Sequence, residues 1–251
     1  MANARQFMAA RTAAWAKAGD VVPTARDYVQ EPDSYIWDAR ENSDWGVHDA
    51  TITDGWTDLV HKKKMPVFTG SISFAEYYMV AKSAVLKSTL GSFADVLNSG
   101  FFTVEAYRNF KDQRGYVFCS DNQSPVFELW SNGIYTQYLR LIGENPNYGS
   151  LGYGKGPFAG APHYIAYSVD ATTGVVACFD GGIYTTASGV ISMPVRSQNA
   201  RFALIGNSAY NWTYTTGSFG GVRIHPRPFS AEEMQHNWQI DLKRYPDLPT
   251  I

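Results

Sequence analysis

Two isolated carboxylates, Glu105 and Glu128, are the residues whose type and setting come nearest to hydrolytic chemistry. Each stands in an aromatic, strand-like stretch. A retaining glycosidase needs two carboxyl groups about 5 Å apart, and alternate positions of one strand place side chains on one face. The spacing Glu-x-Asp-x-x-Glu, which would supply such a pair, is absent, as are Gly-x-Ser-x-Gly and His-Glu-x-x-His. The sequence therefore predicts a protein that is not an enzyme, with a glycosidase built on these two residues as the alternative.

Aspartates crowd the stretch between residues 38 and 58. Ca²⁺ prefers clustered oxygen ligands from loops, so calcium is the one cofactor that the sequence indicates. Its predicted ligands are Asp49, Asp54 and Asp58, although their spacing is not that of an EF-hand. The alternative is that these carboxylates accept local hydrogen bonds in turns.

Two loop-like stretches, residues 145–155 and 210–214, concentrate aromatic rings. Sugar rings stack on exposed aromatic faces, and their hydroxyls need polar groups held on loops of a rigid scaffold. An alternative is that the rings cover a sheet edge or pack against a neighbouring subunit. The predicted glycan contacts are Tyr148, Tyr153, Tyr210, Trp212 and Tyr214.

The composition limits the classes of partner. The chain of 251 residues has a net charge of −2, so it lacks the cationic excess that displaces counterions from nucleic acids. No stretch approaches the roughly 18 apolar residues of a membrane span, and residues 1–19 lack the apolar core of a secretory signal. Cys119 and Cys178 lie in apolar, strand-like surroundings, which predicts buried free thiols, or one disulfide in an oxidising compartment.

The first 33 residues differ from the rest of the chain. Residues 3–18 predict an alanine-rich helix with a narrow apolar stripe, on which Phe7, Met8 and Trp15 would dock onto the chain's own sheet or onto a neighbouring subunit. A polar, proline-punctuated stretch follows up to Asp33 and predicts a linker or surface arm. We therefore divide the chain into an arm with its linker, residues 1–33, and a body, residues 34–251.

The segment from Gly220 to Met234 predicts a strand followed by a helix. Prolines end the strand because they lack a backbone donor. Ser230 is the predicted N-cap, Glu233 completes a capping box, and Phe229 and Met234 occupy the positions of a hydrophobic staple. His236 lies three residues after Glu233, but a di-iron site needs this spacing twice, and the sequence has no second copy.

The body begins at residues 35–38, and the sequence predicts strands at residues 101–106, 116–120, 126–130, 164–170, 175–179 and 201–206. Residues 61–100 fit no clear element. The opening stretch runs from Trp37-Asp38 through Asn42, Gly46, His48-Asp49 and Trp56 to Asp58-Leu59. Together with the closing strand and capped helix, it resembles the laminin-G-like, concanavalin-A-like domains of bacterial and bacteriophage proteins.

The resemblance implies an all-β fold, a concanavalin-A-like jelly-roll sandwich with an N-terminal helical arm and a short C-terminal helix. It also implies a structural or adhesive component of a virus particle, such as a bacteriophage decoration, fibre or tail protein made in the host cytoplasm. Its partners would be other virion subunits or copies of itself in a homo-oligomer, together with host surface glycans. The alternative is an exported or cell-surface carbohydrate-binding module.

Overall fold

The computed structural model describes residues 21–87, 96, 99–110, 114–120, 127–132, 137–141, 149–153, 162–188, 202–206 and 215–249. Residues 114–116, 118–120, 127–132, 137–141, 149–153, 187–188 and 202–203 are described by their backbone alone. The predicted N-terminal helix, with Phe7, Met8 and Trp15, lies outside the described residues. All structural statements below concern the described part of the chain.

The described chain is mostly antiparallel β-structure followed by one α-helix. Helix α1 spans Ala231–Arg244, and a single 3₁₀ turn covers Ala25–Asp27. The strands, in chain order, are β1 Tyr35–Asp38, β2 Gly55–Thr57, β3 Lys64–Phe74, β4 Met79–Lys87, β5 Phe101–Phe110, β6 Arg114–Ser120, β7 Phe127–Asn132, β8 Gln137–Leu141, β9 Gly149–Tyr153, β10 His163–Asp170, β11 Val175–Asp180, β12 Ile183–Ser188, β13 Phe202–Ile205 and β14 Thr215–His225.

The closing strand β14 connects the two halves of the structure. The hydrogen-bonded order is β12-β11-β10-β5-β14-β4-β13-β6-β7-β8-β9, with β1 on β14 and β2 attached through β3 to β4. The first part of β14 lies between β4 and β5, and its last part lies between β1 and β5. The register changes between Phe219 and Gly221, where β14 exchanges one neighbour for the other.

Most predicted strands are confirmed, but β3 and β4 occupy the stretch that fitted no element. Pro66 and Gly70 interrupt the alternation of β3, and its pairing with β4 shifts register on both sides of Thr69. Gly70 has φ +74°, and a Cβ there would lie 2.1 Å from the carbonyl oxygen of Ser83. The bulge therefore requires glycine, and it hides the two-residue period that predicts a strand.

The two faces of β5 have different roles. Phe102, Val104 and Ala106 point into the apolar core. The residues between them face helix α1, since Glu105 accepts a hydrogen bond from Asn237 of α1 at 3.1 Å. On this side, the Tyr107 ring stacks on the Tyr245 ring, with the ring centroids 6.0 Å apart. The helix thus covers the face of the sheet opposite to the core.

The predicted start of α1 is confirmed. Ser230 accepts a hydrogen bond from the Glu233 backbone, and the Glu233 carboxylate accepts one from the Ser230 N–H at 2.8 Å. Phe229 and Met234, the predicted staple, are both buried. The capping box satisfies two backbone donors that a helix start otherwise leaves free, and this fixes the helix on the sheet.

The stretch predicted as a linker packs onto the domain. We call residues 23–34 the N-terminal strap. Tyr28 is buried and donates a hydrogen bond to the Asp241 carboxylate at 2.7 Å, while the Val29 N–H donates to the Asn237 side chain at 2.8 Å. These partners lie more than 200 residues away in the sequence. Nothing in the polar, proline-containing stretch itself therefore predicts these contacts. The strap is thus part of the folded body.

Candidate functional site

Glu105, a predicted carboxylate of the glycosidase alternative, lies in a closed ionic network. Its carboxylate accepts hydrogen bonds from Arg223 at 2.6 Å, Tyr164 at 2.5 Å and Asn237, and lies 3.2 Å from His225 Nε2. Burial alone would raise the pKa of Glu105, but the Arg223 guanidinium and the hydrogen bonds lower it to about 2. The side chain is fully buried beneath α1, and the network holds it there as a stable anion.

The network continues from Glu105 to helix α1. Arg223 bridges the sheet and the helix by donating two hydrogen bonds to the Asp241 carboxylate, at 3.0 and 2.5 Å. Arg244 donates to the buried Asp38 carboxylate at 2.6 Å. Ionic groups so deeply buried need charged partners and several hydrogen bonds to persist. The network therefore holds the sheet, α1 and the strap together; its only sequence signal is the pair of basic residues on the apolar strand β14.

The structure does not bring Glu105 and Glu128 together. Glu128 lies on β7, opposite Arg140 of β8, and four strands separate β7 from β5 in the sheet order. A two-carboxylate mechanism requires about 5 Å between the groups, which roughly matches one strand spacing. The described backbone thus gives no support to this catalytic pair.

The three predicted calcium ligands make separate local contacts. Asp49 accepts hydrogen bonds from Thr51, and Asp54 pairs with Lys64. The Asp58 carboxylate is buried and accepts hydrogen bonds from the N–H groups of Ile36 and His61, each at 2.6 Å. No three His, Cys, Asp or Glu side chains within the described ranges are grouped as a metal site would require. Calcium binding at these residues stays a prediction.

The predicted aromatic contacts fall largely outside the structure. Tyr153 ends strand β9, where only the backbone is described. The other four, Tyr148, Tyr210, Trp212 and Tyr214, lie outside the described residues.

Cys178 is a buried free thiol, as predicted, and burial raises its pKa. No described helix is long and apolar enough to cross a membrane.

A different group of side chains, which the sequence reading missed, meets where β5 ends and β10 begins. Arg108 of β5 lies opposite His163 of β10, and Tyr167 lies further along the same face of β10. Asp180, at the end of β11, pairs with His163 through its carboxylate, and Ile183 faces Asp180 across the turn into β12. We call these five residues the Arg108 cluster.

Arg108 is the unusual member of the cluster. Its side chain is 2% exposed, its guanidinium carbon lies 4.1 Å from the centre of the Phe110 ring, and Nη1 has no hydrogen-bond partner within the described residues. Burial lowers the pKa of Arg108 to about 10, and the nearby Asp180 and Tyr167 only partly oppose this. The group is still charged at neutral pH, so the cluster contains a buried cation without an ion pair of its own.

The remaining members of the cluster differ in how far they are exposed to solvent. The Tyr167 hydroxyl is buried beside the Cys178 thiol. The His163–Asp180 pair is partly exposed, whereas Ile183 is 68% exposed. Exposure to solvent thus falls from Ile183 through the His163–Asp180 pair to the buried Arg108.

Comparison with solved structures identifies the fold. A Ruminococcus gnavus IT-sialidase CBM40 domain, solved with α2,3-sialyllactose, matches with 12% identity and a TM-score of 0.51, over 60% of this chain and 90% of the module. A Trypanosoma rangeli sialidase solved with sialic acid matches with 12% identity and a TM-score of 0.57, over 92% of this chain. The chain spans only 34% of that sialidase.

No protein-family model matches the sequence, and no curated protein is similar to it in sequence. At these identities the structural likeness shows the fold alone. It confirms the predicted β-sandwich with a short C-terminal helix. The laminin-G-like and bacteriophage character of the sequence resemblance stays a prediction.

Proposed function

We propose that this protein is a non-enzymatic glycan-binding β-sandwich whose binding surface is centred on the Arg108 cluster. The observation that carries the proposal is the buried, charged Arg108, whose Nη1 lacks a partner within the described chain and which lies behind a partly exposed His163–Asp180 pair. Buried polar groups are normally satisfied, so an unsatisfied one requires an explanation, for which we propose a ligand contact. The shared fold with a carbohydrate-binding module supports the choice of glycans.

The state of the carboxylates supports binding rather than hydrolysis. A general acid must be protonated near neutral pH, which requires a raised pKa. Glu105 has the opposite property, since its pKa is held at about 2 by a network that α1 covers. The chain also spans most of the matched binding module but about a third of the matched sialidase.

The predicted aromatic contacts are a second part of the proposal. In the sequence, Tyr214 directly precedes strand β14, whereas Tyr148 directly precedes β9, which lies at the far end of the strand order from β10. We expect Tyr148→Ala and Trp212→Ala to weaken glycan binding at least about 5-fold, as loss of a stacking ring does.

The test combines a binding assay with an assay of hydrolysis. The purified chain is applied to an array of neutral and acidic glycans, and hits are measured by titration calorimetry. The same preparation is incubated with a fluorogenic aryl sialoside. The proposal expects saturable binding without turnover. Turnover that survives Glu105→Gln would establish an enzyme with other catalytic residues, and an empty array would refute glycan binding.

The cellular context in this proposal is a virion, in which the chain is a structural or adhesive subunit. The strap fixes the chain to the body from Pro23 onward, and the preceding Val21 is exposed. Residues 1–20 would then be the docking arm, and the partner would be another virion subunit or a second copy. The other location that fits glycan binding is the cell surface.

Light scattering tests this context, with and without calcium. We expect the full chain to oligomerise and a chain that begins at Val21 to stay a folded monomer. A monomer at all concentrations would favour the free-standing binding module. A calcium-dependent change in mass that Asp49→Asn abolishes would establish the predicted metal site.

A further inference from the structure

The edge strands of the described sheet differ in how open they are to another chain. Strand β3 is an edge beyond Pro66, where it leaves β2, and it carries that proline and the bulge at Gly70. Both features interrupt the row of backbone donors and acceptors, which is how natural proteins keep an edge from pairing with a second chain. Strand β12 is the last strand of the order, and it has neither a proline nor a register shift against β11.

Strand β12 is also exposed and uncharged. Tyr184 is 41% exposed, and Thr186, two residues further along the strand, is exposed as well. No charged residue occurs in the sequence from Gly181 to Val195. Charged side chains on an edge are another means of preventing strand addition, and β12 lacks them. Within the described part of the chain, this edge is therefore open to a further strand.

The turn into β12 decides which of its backbone groups point outward. Asp180 and Ile183 are the pair that closes a two-residue turn, whose glycines have φ values of +53° and +102°, typical of a tight hairpin. The closing pair exchanges backbone hydrogen bonds, and hydrogen-bonded positions alternate along an antiparallel strand. The positions between them direct their N–H and C=O groups away from β11. These outward-facing positions are Tyr184, Thr186 and Ser188.

We infer that β12 pairs antiparallel with β12 of a second copy, about a two-fold axis at Thr186; this rests on the oligomer of the proposed function and specifies its contact. With Thr186 opposite its own counterpart, Tyr184 lies opposite Ser188, so all three outward-facing positions form hydrogen-bonded pairs. The contact is the same on both copies, as a two-fold interface requires. No like charges oppose each other along the pair, because the strand carries none.

The contact is too small to hold two copies together alone. A stable interface buries about 1,200–2,000 Å², and one pair of strands of 6 residues covers only part of that area. A second attachment raises the effective concentration of the first, so a weak contact becomes populated once another one joins the same two chains. Residues 1–20, the proposed docking arm, would provide that attachment. We therefore expect the β12 pair in the full-chain oligomer and not in a chain that begins at Val21.

The experiment uses the full chain and places one cysteine on the proposed pair. Thr186→Cys lies on the two-fold axis, where the Cα atoms of opposed residues are about 5.5 Å apart, within the range of a disulfide. Thr185→Cys is the matched control, because its two copies are offset by two positions and their Cα atoms lie about 8 Å apart, beyond that range. The native cysteines are common to both variants.

We expect mild oxidation to link two copies of Thr186→Cys at least about 10-fold faster than two copies of Thr185→Cys. Thr186→Lys sets two ammonium groups against each other on the axis. It should weaken self-association roughly 5- to 10-fold at low salt, and less at high salt, in light scattering over a concentration series. Thr173→Lys, in the exposed turn between β10 and β11, should leave self-association unchanged. All four variants should melt within about 2 °C of the wild type, because none removes a core contact.

The outcomes separate this inference from the proposed function. If the full chain oligomerises but Thr186→Cys links no faster than Thr185→Cys, or Thr186→Lys has no effect at low salt, β12 is not the contact and the proposed oligomer stands without it. If the full chain is monomeric at every concentration and neither cysteine variant links, both the β12 pair and the oligomer are wrong. If a chain that begins at Val21 links through Thr186→Cys as fast as the full chain, the β12 pair stands and the docking arm does not.

Discussion

Replacing Glu105 by glutamine should destabilise the protein strongly at neutral pH and hardly at all in strong acid. The substitution keeps the size of the side chain but removes its negative charge. Arg223, which lies 2.6 Å from this carboxylate, then keeps only Asp241 as an anionic partner. Breaking one contact of a buried ionic network typically costs about 3–5 kcal/mol, because a buried charge is left underpaired.

The pKa of Glu105 gives the magnitude and its pH dependence. Folding lowers this pKa from its ordinary value of 4.5 to about 2. At about 1.4 kcal/mol for each pH unit, the depression contributes roughly 3 kcal/mol to stability. A depressed carboxyl pKa stabilises the fold above the unfolded value, and the contribution disappears as the pH falls from 4.5 towards 2. The cost of Glu105→Gln should therefore be about 3 kcal/mol at pH 7 and vanish near pH 2.

Urea unfolding followed by tryptophan fluorescence measures this cost at pH 7, 5, 4 and 3. Glu76→Gln, at an exposed position, is the matched control and should change stability by less than about 0.5 kcal/mol. The argument would be wrong if Glu105→Gln costs less than about 1 kcal/mol at pH 7. It would also be wrong if the cost stays constant between pH 7 and pH 3, since the charge would then not be its source.

Four further predictions concern how the chain packs. Tyr28→Phe removes the hydrogen bond to Asp241 and should cost about 1–3 kcal/mol in urea unfolding; a cost near zero would place the strap outside the cooperative fold. A chain that begins at residue 31 should lose this contact entirely and melt well below one that begins at residue 21, whereas equal melting temperatures would restore the linker hypothesis. Gly220→Ala should cost about 1–3 kcal/mol by thermal unfolding, because its Cβ would lie 2.5 Å from the buried Tyr245 ring; an unchanged melting temperature would mean that the ring moves freely. Ser230→Ala should cost about 1 kcal/mol, which Ser230→Asp should largely restore if capping is the cause.

The part of the fold that follows local rules was predictable. Strands with a two-residue period, such as β5 and β10, and the capping box of α1 are encoded by neighbours a few residues apart. The β3–β4 pair was not predicted, because the bulge at Gly70 breaks the period that reveals a strand. The strap was predicted as a linker or surface arm, because its partners come from a helix at the other end of the chain.

For the candidate site, the sequence determined which chemical groups are present, and the tertiary structure decided which of them have a charged partner. Glu105 looked available for catalysis because its neighbours on the strand are apolar, yet Arg223, 118 residues later, pairs with it in the folded chain. Arg108 attracted no notice, because its property is a missing partner and no spacing of residues encodes an absence. The reason is physical: a charge is balanced by what surrounds it in space, and only folding brings residues from β5, β10 and β11 together at one end of a sheet.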